Sequence, residues 1–185
     1  MKMNQSIKGQ ILLVLCCCVY LIWWYRGFRP GANVSRVGGM NGLLLLITAA
    51  LGIAGIVLSL MPVPLTGKPK ADPMAMAVGG IVVYFLLLLI TNVGFHRVVT
   101  TELMLIVGWT VLEMVVITRL DAAGLLGQNG FLIMCIVLAA AFVISIVLYV
   151  AYYRMEEMKA FYAAMIPLVT EAAAMIILII MTGNK

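Results

Sequence analysis

Charge is scarce in this chain. Only 10% of its 185 residues are charged, whereas 65% are hydrophobic. Soluble domains carry nearer a quarter charged residues. One this apolar could not cover its own core with polar surface. An ordinary soluble enzyme, a disordered tail and a nucleic-acid binder are therefore excluded. The net charge of +5 rests on 12 basic and 7 acidic residues, so basicity here does not mean nucleic acid.

Enzyme signatures are equally sparse. His96 is the one histidine, which excludes two-histidine metal motifs. No Gly-x-Ser-x-Gly nucleophile turn occurs, nor does the paired-aspartate motif of lipid-head-group transferases. Glu156-Glu157 resembles the paired glutamates of intramembrane abortive-infection proteases, but Phe161 stands where those need an arginine. No cofactor is implied. Cys16, Cys17 and Cys18 are consecutive in one apolar run and Cys135 lies in another, so no disulfide framework is implied. Leu15 is too large for a lipoprotein processing site. The first apolar run lacks a small-residue cleavage site and closes in Trp23, Trp24, Tyr25 and Arg26. That ending is an interfacial anchor, so the run reads as a retained helix rather than a signal peptide.

Long apolar runs are what the chain has in plenty. A bilayer core about 30 Å thick needs about 20 apolar residues in a helix. Six stretches qualify, at about 7–25, 42–61, 73–95, 100–120, 130–152 and 160–182. They are too long and continuous for barrel strands. The expected fold is all-α: one multi-pass domain, residues 1–185, forming a six-helix transmembrane bundle in the cytoplasmic membrane. Pro73 suits a first helical turn, and Thr100 or Thr101 can cap the fourth helix. The 62–72 linker, with three prolines, reads as a stiff connector. Arg26, Arg29 and Arg36 in the 26–41 loop read as interfacial anchors within reach of lipid phosphates. Asn33-Val34-Ser35 fits a glycosylation sequon.

Lysine and arginine do not orient the chain. One side would hold Lys2, Lys8, Lys68, Lys70, Arg119 and Lys185. The other would hold Arg26, Arg29, Arg36, Arg97, Arg154 and Lys159, six against six. A tie of this kind is compatible with a three-plus-three inverted repeat. Gly39-Met40-Asn41-Gly42 and Gly127-Gln128-Asn129-Gly130 precede equivalent spans, 88 residues apart. At that offset Glu171 falls on Val83 and Glu113 on Tyr25, so the polar residues do not repeat.

Polar residues at depth are the informative ones, because an acid at mid-bilayer costs about 2–3 kcal/mol on insertion scales. Glu171 lies mid-way along the sixth span. Pro167, one turn earlier, kinks the helix and leaves the Ala163 carbonyl without its helical partner. Glu102, Trp109 and Glu113 are spaced by seven and four residues, which places them in one stripe of the fourth helix. Glu102 also has a structural reading, as a first-turn carboxylate that complements the helix dipole. Tyr84 and Asn92 on the third helix suit interhelical hydrogen bonds. His96 and Arg97 stand at that helix's end, where they can neutralise Glu102 or, for the histidine, relay a proton. Met74, Met76 and the cysteine triplet admit soft-metal transport, but methionine is spread through the later spans and reads as core filling. Ala50/Ala54 and Gly55/Ser59 are small-residue pairs that favour close helix approach. Tyr152, Tyr153, Arg154, Glu156, Glu157 and Lys159 read as an interfacial belt with local ion pairs.

The expected function is a small membrane transport protein or transport subunit. Glu113 and Glu171 would bind a proton or a small organic cation, with Trp109, Tyr84, Asn92 and Glu102 along the path. In helix number and size the chain is similar to the substrate-binding subunits of energy-coupling-factor vitamin transporters. Their first-helix alanine motif is missing here, so no residue is carried over. Two alternatives stand beside it. One is a non-catalytic partner, as a homo-oligomer or within a larger membrane complex. The other is a lipid-processing enzyme using Glu113 and Glu171 as acid and base.

Overall fold

The computed structural model describes residues 4–31, 35–95, 101–127 and 129–183. Among the described residues the α-helices are α1 (Gln5–Phe28), α2 (Met40–Ser59), α3 (Pro73–Phe95), α4 (Thr101–Ala122), α5 (Gly130–Ala151), α6 (Glu157–Ala163) and α7 (Ile166–Gly183), with a 3-10 turn at Tyr152–Arg154. There is no strand among the described residues. Six helical segments are long and apolar enough to cross a bilayer, the last being Glu157–Gly183. The chain is an all-α, polytopic membrane protein. Thr100, His96 and Arg97, and Asn33 of the sequon, lie outside the described residues.

The sixth span, expected as one helix kinked at Pro167 over 160–182, is the segment Glu157–Gly183, whose helix is interrupted at Ala164 and Met165. Met165 N–H donates to the Tyr162 carbonyl at 3.0 Å, tightening the end of α6. Pro167 then enters as the second residue of α7. It has no N–H for the Ala163 carbonyl, and its ring crowds that carbonyl, so the regular helix is interrupted just before it. Pro167→Ala restores the missing donor and is expected to fuse α6 with α7. Spin labels at the exposed positions Met158 and Ile176 would then read about 27 Å between backbones, the length of 18 residues of unbroken helix. A distance unchanged from the wild type would place the cause of the break elsewhere.

The chain divides into two compact units. Residues 1–63 with 154–185 form the first, and 64–153 the second. This grouping is not that of the first three and last three spans, so it lends the inverted repeat no support.

In the first unit α1 packs along α2 and also against α7. The crossing of α1 and α2 is close because Gly9, Gly55 and Ser59 carry almost no side chain there. A Cβ on Gly55 would stand 2.8 Å from the Leu13 side chain and 3.2 Å from the Gly9 carbonyl oxygen. Of the two small-residue pairs, Gly55/Ser59 makes this contact, while Ala50 and Ala54 are exposed. Ser6 Oγ donates to the Ser59 carbonyl at 3.1 Å, and Gln10 Nε2 to Ser59 Oγ at 3.3 Å. Cys16 Sγ donates to the Thr48 carbonyl at 3.3 Å, a helix-packing role. Beyond α5, Lys159 pairs with Glu156 at 2.9 Å, as the belt reading expects.

In the second unit α4 touches both α3 and α5. Half of its apolar window is buried, against 11% for α3. Gly124, at φ 71°, closes α4 in the left-handed conformation. Leu125 N–H reaches the Leu120 carbonyl and Gly124 N–H the Asp121 carbonyl, at 3.0 and 2.9 Å. Residues 66–70 of the linker dock here. Thr66 and Gly67 donate their backbone N–H groups to the Ala122 carbonyl, both at 2.9 Å. Lys70 bridges to Asp121 at 3.0 Å and lies 4.1 Å from the Phe131 ring centroid.

Candidate membrane-embedded site

Glu113 is only 1% exposed. It is the thirteenth residue of α4, past the middle of a 22-residue span. Its face follows from spacing. Seven residues turn an α-helix about 700°, within about 20° of two full turns. Glu113 therefore continues the line of Ile106, a core residue. Ile106, Leu103 and Tyr149 of α5 form a cluster with Tyr84, Leu87 and Leu88 of α3 around it. The start of α4 thus meets the end of α5, as antiparallel neighbours should.

Two buried donors follow in the next layer. Trp109 lies three residues beyond Ile106, about 4.5 Å along the axis. Ser145 lies four residues before Tyr149, about 6 Å along α5. Ser145 is 1% exposed. It belongs to the buried stripe Met134, Leu138, Ala141, Ser145 and Tyr149. Neither Trp109 Nε1 nor Ser145 Oγ has a hydrogen-bond partner among the described residues. Buried donors rarely go unmatched, so such groups ask for an explanation. Glu113 comes about 10 Å beyond Ile106, in the layer after them. Glu113 and Glu171 each interact with another group of the protein.

The other expected site residues separate. Glu102 is exposed in the first turn of α4. Eleven residues, or about 16 Å, part it from Glu113. Its dipole-complementing role is the one its position serves. Tyr84 is half-buried in the Leu103–Ile106 layer, its ring edge-on to Phe85 at 5.4 Å. Asn92 is exposed near the end of α3.

Glu171 belongs to the other unit and is half-buried there. It is the sixth residue of α7, one turn past Pro167. Offsets of three, four, seven and eleven residues connect it to Ala174, Met175, Leu178 and Thr182, the buried residues of α7. It therefore stands on the protein-facing stripe, not on the outer face. Thr170 Oγ1 donates to the Pro167 carbonyl at 2.8 Å, one turn back.

Ser145 escaped the sequence reading because serine is a small residue that fits any apolar helix. Its spacing within the Met134–Tyr149 stripe was the available signal. Among the described residues no three His, Cys, Asp or Glu side chains gather in metal-binding fashion. No known protein family, curated protein or solved structure matches the chain. Fold and site together define a multi-pass helical membrane protein with a carboxyl buried at mid-span.

Proposed function

We propose that the chain is a small transport protein, or a transport subunit, of the cytoplasmic membrane. In this reading a buried carboxyl binds a proton or a small organic cation. The observation that carries it is Glu113, 1% exposed in the middle of a membrane-spanning helix. An acid there is costly and is kept for function by default. Trp109 adds a ring face suited to an organic cation, and its indole N–H and the Ser145 hydroxyl add two donors without a hydrogen-bond partner among the described residues. Glu171 supports the reading from its own unit, since it lies on the buried stripe of an interrupted helix. Interrupted helices are a recurrent way to place ion sites at the midplane.

Proteoliposomes with an imposed pH gradient test this, with ethidium as the probe cation and an entrapped pH dye. Glu113→Gln and Glu171→Gln are each expected to cut coupled flux at least tenfold, the effect of about 1.4 kcal/mol on a rate. Glu102→Gln is expected to behave as wild type. Flux that survives both core substitutions would end the proposal.

One observation favours the assembly-partner reading. Asn92 is an exposed amide on the otherwise apolar face of α3. A polar side chain there is suited to hydrogen-bonding another helix. That reading requires a stoichiometric companion in gentle detergent extracts, and tolerance of both glutamine substitutions.

A further inference from the structure

One end of the α1–α2 hairpin gathers positive charge that no ion pair among the described residues offsets. Arg26 is in the last turn of α1 and Arg29 caps it. Arg36 folds back onto the same turn. A Cβ on Gly27 would stand 3.8 Å from Arg36 Cγ and 4.0 Å from its Cα. Trp23 Nε1 donates to the Arg36 carbonyl at 2.9 Å, which pins the returning strand of chain.

The guanidinium groups are held too. That of Arg36 lies 4.4 Å from the Phe28 ring centroid, and that of Arg29 lies 5.4 Å from the Tyr25 centroid. Arg26 Nε donates to Asn41 Oδ1 at 3.3 Å, and Asn41 Nδ2 donates to the Ser35 carbonyl at 2.7 Å. All three arginines are exposed. None has an ion pair among the described residues. The chain has no Asp or Glu before Asp72. Like charges held on one helical turn repel each other unless an anion joins them. The carbonyl end of α1 offsets part of this charge. The remaining N–H groups keep the fork geometry that matches phosphate oxygens.

Aromatic rings set the depth. Trp23, Trp24, Tyr25 and Phe28 surround this turn, with Trp24 stacked on Phe28 at 4.2 Å. Tryptophan and tyrosine settle at the headgroup level of a bilayer. The guanidinium groups held against these rings share that level. The anion within their reach is therefore a lipid phosphate.

We propose that Arg26, Arg29 and Arg36 form a binding platform for the phosphodiester of anionic phospholipids. It is independent of the transport reading. Native mass spectrometry of protein released from nanodiscs of equimolar phosphatidylglycerol and phosphatidylcholine tests it. Wild-type protein is expected to retain phosphatidylglycerol preferentially. Arg29→Gln and Arg36→Gln are each expected to reduce the preference about fivefold, and raised salt is expected to reduce it also. Lys68→Gln, in the 62–72 linker, is expected to leave it unchanged. Equal retention of the two lipids by wild-type protein overturns the proposal without any variant. So does an undiminished preference in both arginine variants. Displacement of the lipid by inorganic phosphate would mean a soluble-anion site and would equally overturn it.

Discussion

Glu113→Lys is expected to leave little or no monodisperse protein in detergent extracts, whereas Glu102→Lys is expected to give a near-normal yield. The two glutamates lie on one stripe of one helix, but their surroundings differ. Glu113 is 1% exposed, and Glu102 is at the exposed first turn. The insertion cost of a mid-span lysine, about 2.5–3.5 kcal/mol, differs little from that of the acid it replaces. The large term is the uncompensated charge in a packed interior, about 3–5 kcal/mol. That alone is a large share of the stability of a typical domain, about 5–15 kcal/mol. Lysine at position 102 meets water or headgroups, where its charge stays solvated, although the favourable dipole contact is lost. Fluorescence-detected size exclusion of tagged variants reads the difference. A well-folded Glu113→Lys protein would mean that water reaches this carboxyl from outside. Glu113→Gln keeps the shape and the hydrogen-bonding capacity, so it is expected to fold and to report on function alone.

The second large effect is expected at the α1–α2 crossing. A Cβ on Gly9 would stand 2.5 Å from Ser59 Oγ and 2.7 Å from the Gly55 carbonyl oxygen. One of those atoms is backbone and cannot rotate away. Overpacking of this kind costs about 1–3 kcal/mol, and leucine exceeds alanine because the helices must part further. Parting them also breaks the bonds that Ser6 and Gln10 make to Ser59. Gly9→Leu is therefore expected to lower the melting temperature strongly, read from tryptophan fluorescence in detergent. Gly79→Ala is the counterpart. Nothing lies within 4 Å of its Cβ position, so α3 is expected to gain about 0.5–1 kcal/mol. Equal melting of the two variants would show that the crossing does not depend on its glycine.

All six spans were legible in sequence because each is a continuous apolar run bounded by charge, glycine or proline. The linker prolines and Pro73 marked their boundaries well, since proline acts on its own backbone and its nearest carbonyls. The same residue type marked an interruption at position 167. The exact form of that interruption was set by the neighbours, where Met165 N–H turns back to the Tyr162 carbonyl.

The Trp109–Glu113 stripe was legible from spacing, and the burial of Glu113 was expected because lipid does not tolerate an acid. Tyr84 was not assignable to a layer until the antiparallel contact of α3 with α4 set its register. Nor did sequence separate Gly55/Ser59, which touches α1, from the equally small Ala50/Ala54, which does not.

Hydropathy alone determined that this chain spans a membrane, how many times, and which few acids lie at depth. Those follow from run length against bilayer thickness and from the cost of charge in hydrocarbon. Tertiary structure alone decided which face of each helix is buried, that the chain divides into two units, and that Ser145 joins the layer of Trp109. The reason is physical. A helix that is apolar all round carries no stripe to announce its inner face. In lipid that face is chosen by close packing and hydrogen bonds between helices, which exist only once the partners have met.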